Sequence, residues 1–155
     1  MSWRRLHLDE GGRVAGDDVG LVRPLSTLRS LLRVEATHVN EVWSMLHGSF
    51  LFLDNGLRVG LTVDDVSFTP RALPSDLLPT VYLLRRATEP ASGPWRTARV
   101  SVLRIGFIRI DFHSKGRGYR SGEWLNLPHT RRQGELCPWT HRLADRWNQM
   151  IAGRL

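Results

Sequence analysis

The sequence predicts an α+β fold: a curved antiparallel sheet or small β-barrel of about six strands, with an N-terminal helix and a C-terminal amphipathic helix. Three observations point there. Asn55-Gly56 stands between two apolar runs, a strong hairpin signal because a tight primed turn needs positive φ. Residues 107–113 alternate, with Ile108, Ile110 and Phe112 on one side and Phe107, Arg109 and Asp111 on the other, as in a half-buried antiparallel strand. Near each end of the chain, apolar residues recur every three or four positions, the helical period.

Residues 1–23 mix Gly, Asp and Arg without a period and read as a partly ordered leader, and residues 24–155 read as a single α+β domain. Leu25, Leu28, Leu32, Ala36, Val39, Trp43 and Leu46 predict a helix over 24–47, with Pro24 in its first turn and Gly48 at its exit. In the hairpin that follows, Phe52 is expected opposite Val59 and Phe50 opposite Leu61. Leu51 and Leu53 then face the other way, so the first strand is apolar on both faces and each face needs cover.

Val66–Thr69 reads as a short strand. Pro70, Pro74 and Pro79 read as breakers, and Thr80–Arg85 as a further strand. Residues 89–94 form a Pro/Gly/Ser connector, but either half alone is too short to close a core well. Trp95–Arg104 and Phe107–His113 read as strands, Ser114–Gly118 as a turn and Tyr119–Leu127 as a last strand. The terminal helix begins at Pro138, with Trp139, Leu143, Trp147, Met150 and Ile151 on one face. In its order of elements, and in Ala144-Asp145-Arg146-Trp147-Asn148-Gln149-Met150-Ile151, the chain resembles pleckstrin-homology-like domains, in which a β-barrel is closed by a C-terminal helix. That likeness implies an architecture and carries over no site residue.

The functional reading starts from charge. The formal net charge is +7, and Lys115 is the only lysine. Residues 1–60 hold seven basic and seven acidic groups, and residues 61–93 three and four. Residues 94–155 hold twelve basic and four acidic, so the excess sits in the last 62 residues. A one-sided basic field attracts an anionic partner. Arg96, Arg99, Arg104 and Arg109 fall on the paired strands, and Lys115, Arg117 and Arg120 in or beside a glycine-rich turn, with Tyr119 and Trp124 close by. Guanidinium groups pair with phosphate oxygens, glycine lets backbone approach, and aromatic rings stack on bases.

The chain is therefore expected to be a non-enzymatic binding module for nucleic acid. Its expected contacts are Arg96, Arg99, Arg109, Lys115, Arg117, Tyr119, Arg120 and Trp124. The alternatives are a structural or assembly role through a protein partner or self-association, and contact with an anionic membrane surface. A small metal-dependent enzyme using Asp111, His113 and His129 ranks below these, because the sequence has no dense ligand spacing. Cys137 four residues before His141 lacks a catalytic signature, and no phosphate-binding loop, nucleophile elbow or dinucleotide fingerprint occurs. No cofactor is expected. A single cysteine excludes an internal disulfide framework, and Met1–Gly12 lacks the apolar core of a secretory signal, so a cytoplasmic or other intracellular location is expected.

Overall fold

The computed structural model describes residues 3–14, 16–54, 56–70, 76–115 and 125–128. Seven strands form one sheet: β1 (Trp3–Leu8), β2 (Met45–Leu53), β3 (Gly56–Val63), β4 (Val66–Phe68), β5 (Thr97–Leu103), β6 (Ile108–His113) and β7 (Leu125–Pro128). Two α-helices accompany them, α1 (Val22–Val39) and α2 (Leu77–Ala87). The spatial order is β1-β6-β5-β2-β3-β4, with β7 beside β4 along the same side of β3. Every pairing is antiparallel. Among the described residues the sheet is open, with β1 at one edge, and no barrel closes. The expected terminal helix at 138–151 lies outside the described residues.

One face of the sheet forms the core. Leu6 and Leu8 of β1, Ile108, Ile110 and Phe112 of β6, and Ala98, Val100 and Val102 of β5 fall in register across it. Leu46, Phe50 and Phe52 of β2 continue these rows into Leu57, Val59, Leu61 and Val63 of β3. All are buried. Leu25, Leu28, Leu32 and Ala36 of α1 and Leu77, Leu78, Val81 and Leu84 of α2 complete the same cluster. The helix period of about 3.6 and the strand period of 2 thus supply the two halves of one apolar layer.

Several expectations change. The segment expected to be a leader contributes β1, because Leu6 and Leu8 alternate with Arg5 and His7 and pair against β6. The first helix stops at Val39, where Asn40 turns extended, and Trp43 and Leu46 belong to the next connection and strand. Trp43 is buried, and its ring N–H donates to the Thr37 hydroxyl at 3.2 Å, which pins that connection. Gly48, expected to end a helix, lies within β2.

Residues 80–85, expected as a strand, lie in α2. Pro79 is in the first turn of that helix, where a backbone N–H has no intrahelical partner, so it starts the element it was expected to break. In the β2–β3 hairpin, Phe52 opposes Leu57 and Phe50 opposes Val59, a slide of two residues from expectation. Register answers to the hydrophobic pattern as well as to the turn, and a slide of two keeps every side chain on its expected face.

Candidate functional site

The second face of the sheet carries the polar side chains of β1, β6 and β5, although Leu51 is apolar and Thr97 is buried there, and register builds it rung by rung. One rung reads Arg5, Asp111, Arg99, Ser49 and Gly60 across β1, β6, β5, β2 and β3. The next reads His7, Arg109, Ser101, His47 and Thr62, and continues to Ser67 of β4. On the other side lies Trp3, His113, Thr97, Leu51 and Arg58. Alternation alone places these side chains here, because their neighbours in sequence are the core residues.

The rungs carry four arginines against one acid at the described strand positions. That acid, Asp111, is engaged. Arg5 Nε donates to its Oδ1 at 2.7 Å and Arg5 Nη2 to its Oδ2 at 3.5 Å. Arg109 Nε lies 3.7 Å from the same Oδ2. Asp111 raises the pKa of Arg5 by hydrogen bonding first and by charge second. Both guanidiniums stay open to solvent, 47% and 42% exposed, while the carboxylate between them is 15% exposed. The acid therefore orders two arginines without burying them. Arg5 also lies 5.5 Å over the ring of Trp3, a cation–π contact, and Trp3 is itself 46% exposed. His7 stacks on Phe107 with ring centroids 6.5 Å apart, and His47 Nδ1 lies 3.0 Å from the Ser101 hydroxyl.

The residues expected to form a site divide three ways. Arg99 and Arg109 stand on this face, on neighbouring strands and adjacent rungs. Arg96 precedes β5 and by alternation shares the side of Ala98, so it is displaced from the face, although its backbone extends the ladder to His113 and Phe52. Lys115 follows β6, exposed, with its carbonyl accepting from the Thr97 hydroxyl at 3.1 Å. Arg117, Tyr119, Arg120 and Trp124 lie outside the described residues. Arg104 sits in the β5–β6 turn, where its carbonyl accepts from Arg33.

Trp3, Arg5, His7 and Arg58 join the face although none stood in the expected basic cluster. Their signal was present. Arg5 and His7 alternate with Leu6 and Leu8, but the Gly- and Asp-rich stretch after them hid a six-residue strand.

Asp111 and His113 share the face two positions apart, while His129 and Cys137 lie outside the described residues. Among the described residues, no three His, Cys, Asp or Glu side chains gather as a metal group would need.

A second polar–aromatic cluster serves the core instead. Arg85 stacks 4.4 Å over Phe52, and its Nε donates to the Trp95 carbonyl at 3.0 Å. Burial lowers its pKa. Burial likewise pushes the Tyr82 hydroxyl up to about 12, beside its contact with the Gly56 carbonyl at 3.4 Å. The Trp95 ring N–H donates to Thr88. These groups fasten α2 to β2, β3 and the start of β5.

No protein-family model, curated protein or solved structure matches the chain. No helix of the described residues is long and apolar enough to cross a membrane.

Proposed function

We propose that the chain is a non-enzymatic binding module that takes nucleic acid on the open face of its sheet. The observation that carries this reading is the placement of Arg5, Arg58, Arg99 and Arg109 on adjacent rungs with Asp111 as the acid among them. A guanidinium presents a planar fork of donors to phosphate oxygens. Ser49, Ser101, Thr62 and His47 add hydroxyl and imidazole groups between the arginines, the kind of groups that contact phosphate and sugar.

The test is binding of fluorescent oligonucleotides by the full chain across a salt series, beside the Arg99→Glu/Arg109→Glu variant. Three or four phosphate contacts give a log–log salt slope of about −2 to −4. The double variant is expected to bind at least tenfold more weakly, with a slope shallower by about 1 to 2, and to melt like the parent. Unchanged affinity in a folded variant overturns the assignment to this face. Binding to phosphatidylserine vesicles without binding to oligonucleotides reassigns the face to a membrane surface.

A second reading, contact with a protein partner or a second copy, is favoured by a different surface. Val42 and Ile105 are 70% exposed and Val66 is 63% exposed. They lie at one end of the sheet, where Arg104 N–H donates to the Ser44 carbonyl and Asp64 N–H to the Met45 carbonyl. Sedimentation of the chain against Val42→Glu/Ile105→Glu tests it. A concentration-dependent oligomer lost in the variant supports self-association, and a monomer at all concentrations removes it.

A further inference from the structure

Resting on the nucleic-acid reading above, we infer that the face is built for single strands, with Trp3 as a platform on which a base stacks. Two observations carry this. The first is width. Six strands side by side span about 24 Å at ~4.8 Å per step. A duplex major groove is about 12 Å wide and admits a helix or a two-stranded ribbon. This sheet cannot enter it, so a duplex would meet the arginines only through the outside of its backbone. A single strand lies flat across such a surface with its bases turned toward it.

The second observation is the composition of the β1–β6 edge. Trp3 is nearly half exposed and stands on the open face in register with His113. Arg5, one rung along, covers part of the indole and holds Asp111. His7 and Phe107 form a stacked pair further along the same edge. The edge therefore alternates ring, cation and ring, over about 13 Å from Trp3 to His7. Stacking needs an unpaired base face, which a duplex keeps within its own stack, whereas cations alone serve either form. On the neighbouring rung Arg5, Asp111 and Arg99 follow one another over two strand steps, about 10 Å, so a strand stacked at Trp3 meets Arg5 and then Arg99.

The experiment compares a 15-nucleotide single strand with its duplex, using the full chain and the variants Trp3→Ala, Trp3→Phe and Arg99→Glu/Arg109→Glu. The parent is expected to bind the single strand at least tenfold more tightly than the duplex. Trp3→Ala is expected to lose about 5- to 150-fold for the single strand, the 1–3 kcal/mol of one base stack. Its duplex affinity and its salt slope stay unchanged, and Trp3→Phe restores most of the loss. A salt slope that falls with Trp3→Ala shows that the indole merely positions Arg5, and overturns the stacking role. Full single-strand affinity in Trp3→Ala, or a duplex preference, also overturns the inference, while collapse in the arginine variant leaves the nucleic-acid reading standing. No binding of either probe overturns both.

Discussion

Arg5 Nε donates to Asp111 Oδ1 at 2.7 Å across 106 residues of sequence, and Arg109 approaches the carboxylate's other oxygen. An acid held between two exposed arginines repels the phosphates that those arginines attract. Asp111→Asn is expected to tighten oligonucleotide binding by up to about fivefold, the order of one unit-charge interaction in water at close range. Its stability is expected to change little, because both arginines of the pair stay exposed. Titration at low salt and a thermal melt check both. Weakened binding would show that Asp111 serves mainly to hold the arginines in place.

Gly48 sits between Leu61 and Val100 on the core face. A Cβ there would lie 2.6 Å from Val100 Cγ1 and 3.1 Å from Leu61 Cδ2. Val100 is β-branched and stiff, so it cannot swing aside. Gly48→Ala is expected to cost about 1–3 kcal/mol, read by denaturant unfolding. Pairing it with Val100→Ala is expected to recover part of that loss, because the obstructing methyls are removed.

Asp64 and Asp65 close the β3–β4 turn with φ of 48° and 66°. The two residues have different work. The Asp64 carboxylate accepts from the Ser44 and Met45 N–H groups at 2.9–3.2 Å, so Asp64→Ala is expected to destabilise by about 1–2 kcal/mol. Asp65 has the strained backbone without those contacts. Asp65→Gly is expected to be neutral or stabilising by up to about 1 kcal/mol, since glycine adopts positive φ without a Cβ penalty. Melting curves of the two variants should move in opposite directions, or only the first should move.

Glu35 is buried on α1, and burial raises its carboxyl pKa, partly offset by the charge of His38. The sign follows from linkage. A raised folded-state pKa means the protonated form favours folding, so the stabilisation is complete below the ordinary glutamate value near 4.5 and is lost as pH rises through the folded value. Glu35→Gln is therefore expected to be more stable than the parent at pH 7. The difference should shrink toward zero below about pH 4. Melts at the two pH values check this.

Much of the fold was legible because period is a local property. The alternation of Ile108, Ile110 and Phe112 marked β6 and its core face, and the leucines of α1 marked a covering helix as far as Val39. The errors fell where one local signal has two structural meanings. Pro79 can break an element or begin a helix, and only the packing of Val81 and Leu84 into the core decides between them. Gly48 suits a helix exit, yet the tertiary need is for a residue without a side chain between Leu61 and Val100.

For the candidate site, counting charge along the chain drew attention to residues 94–155 and found Arg99 and Arg109. It passed over Arg5 and Arg58, which lie in a segment of zero net charge. The sequence by itself determined which residues of each strand share a face, because the side-chain period of a strand is 2 whatever it pairs with. Only the tertiary structure decided which polar residues stand together. Pairing of β1 with β6 and of β2 with both β3 and β5 sets Trp3, Arg5, Arg99, Arg109 and Arg58 on one face. Those pairings join residues up to 110 positions apart, and backbone hydrogen bonds between distant strands are not encoded in any one stretch of sequence.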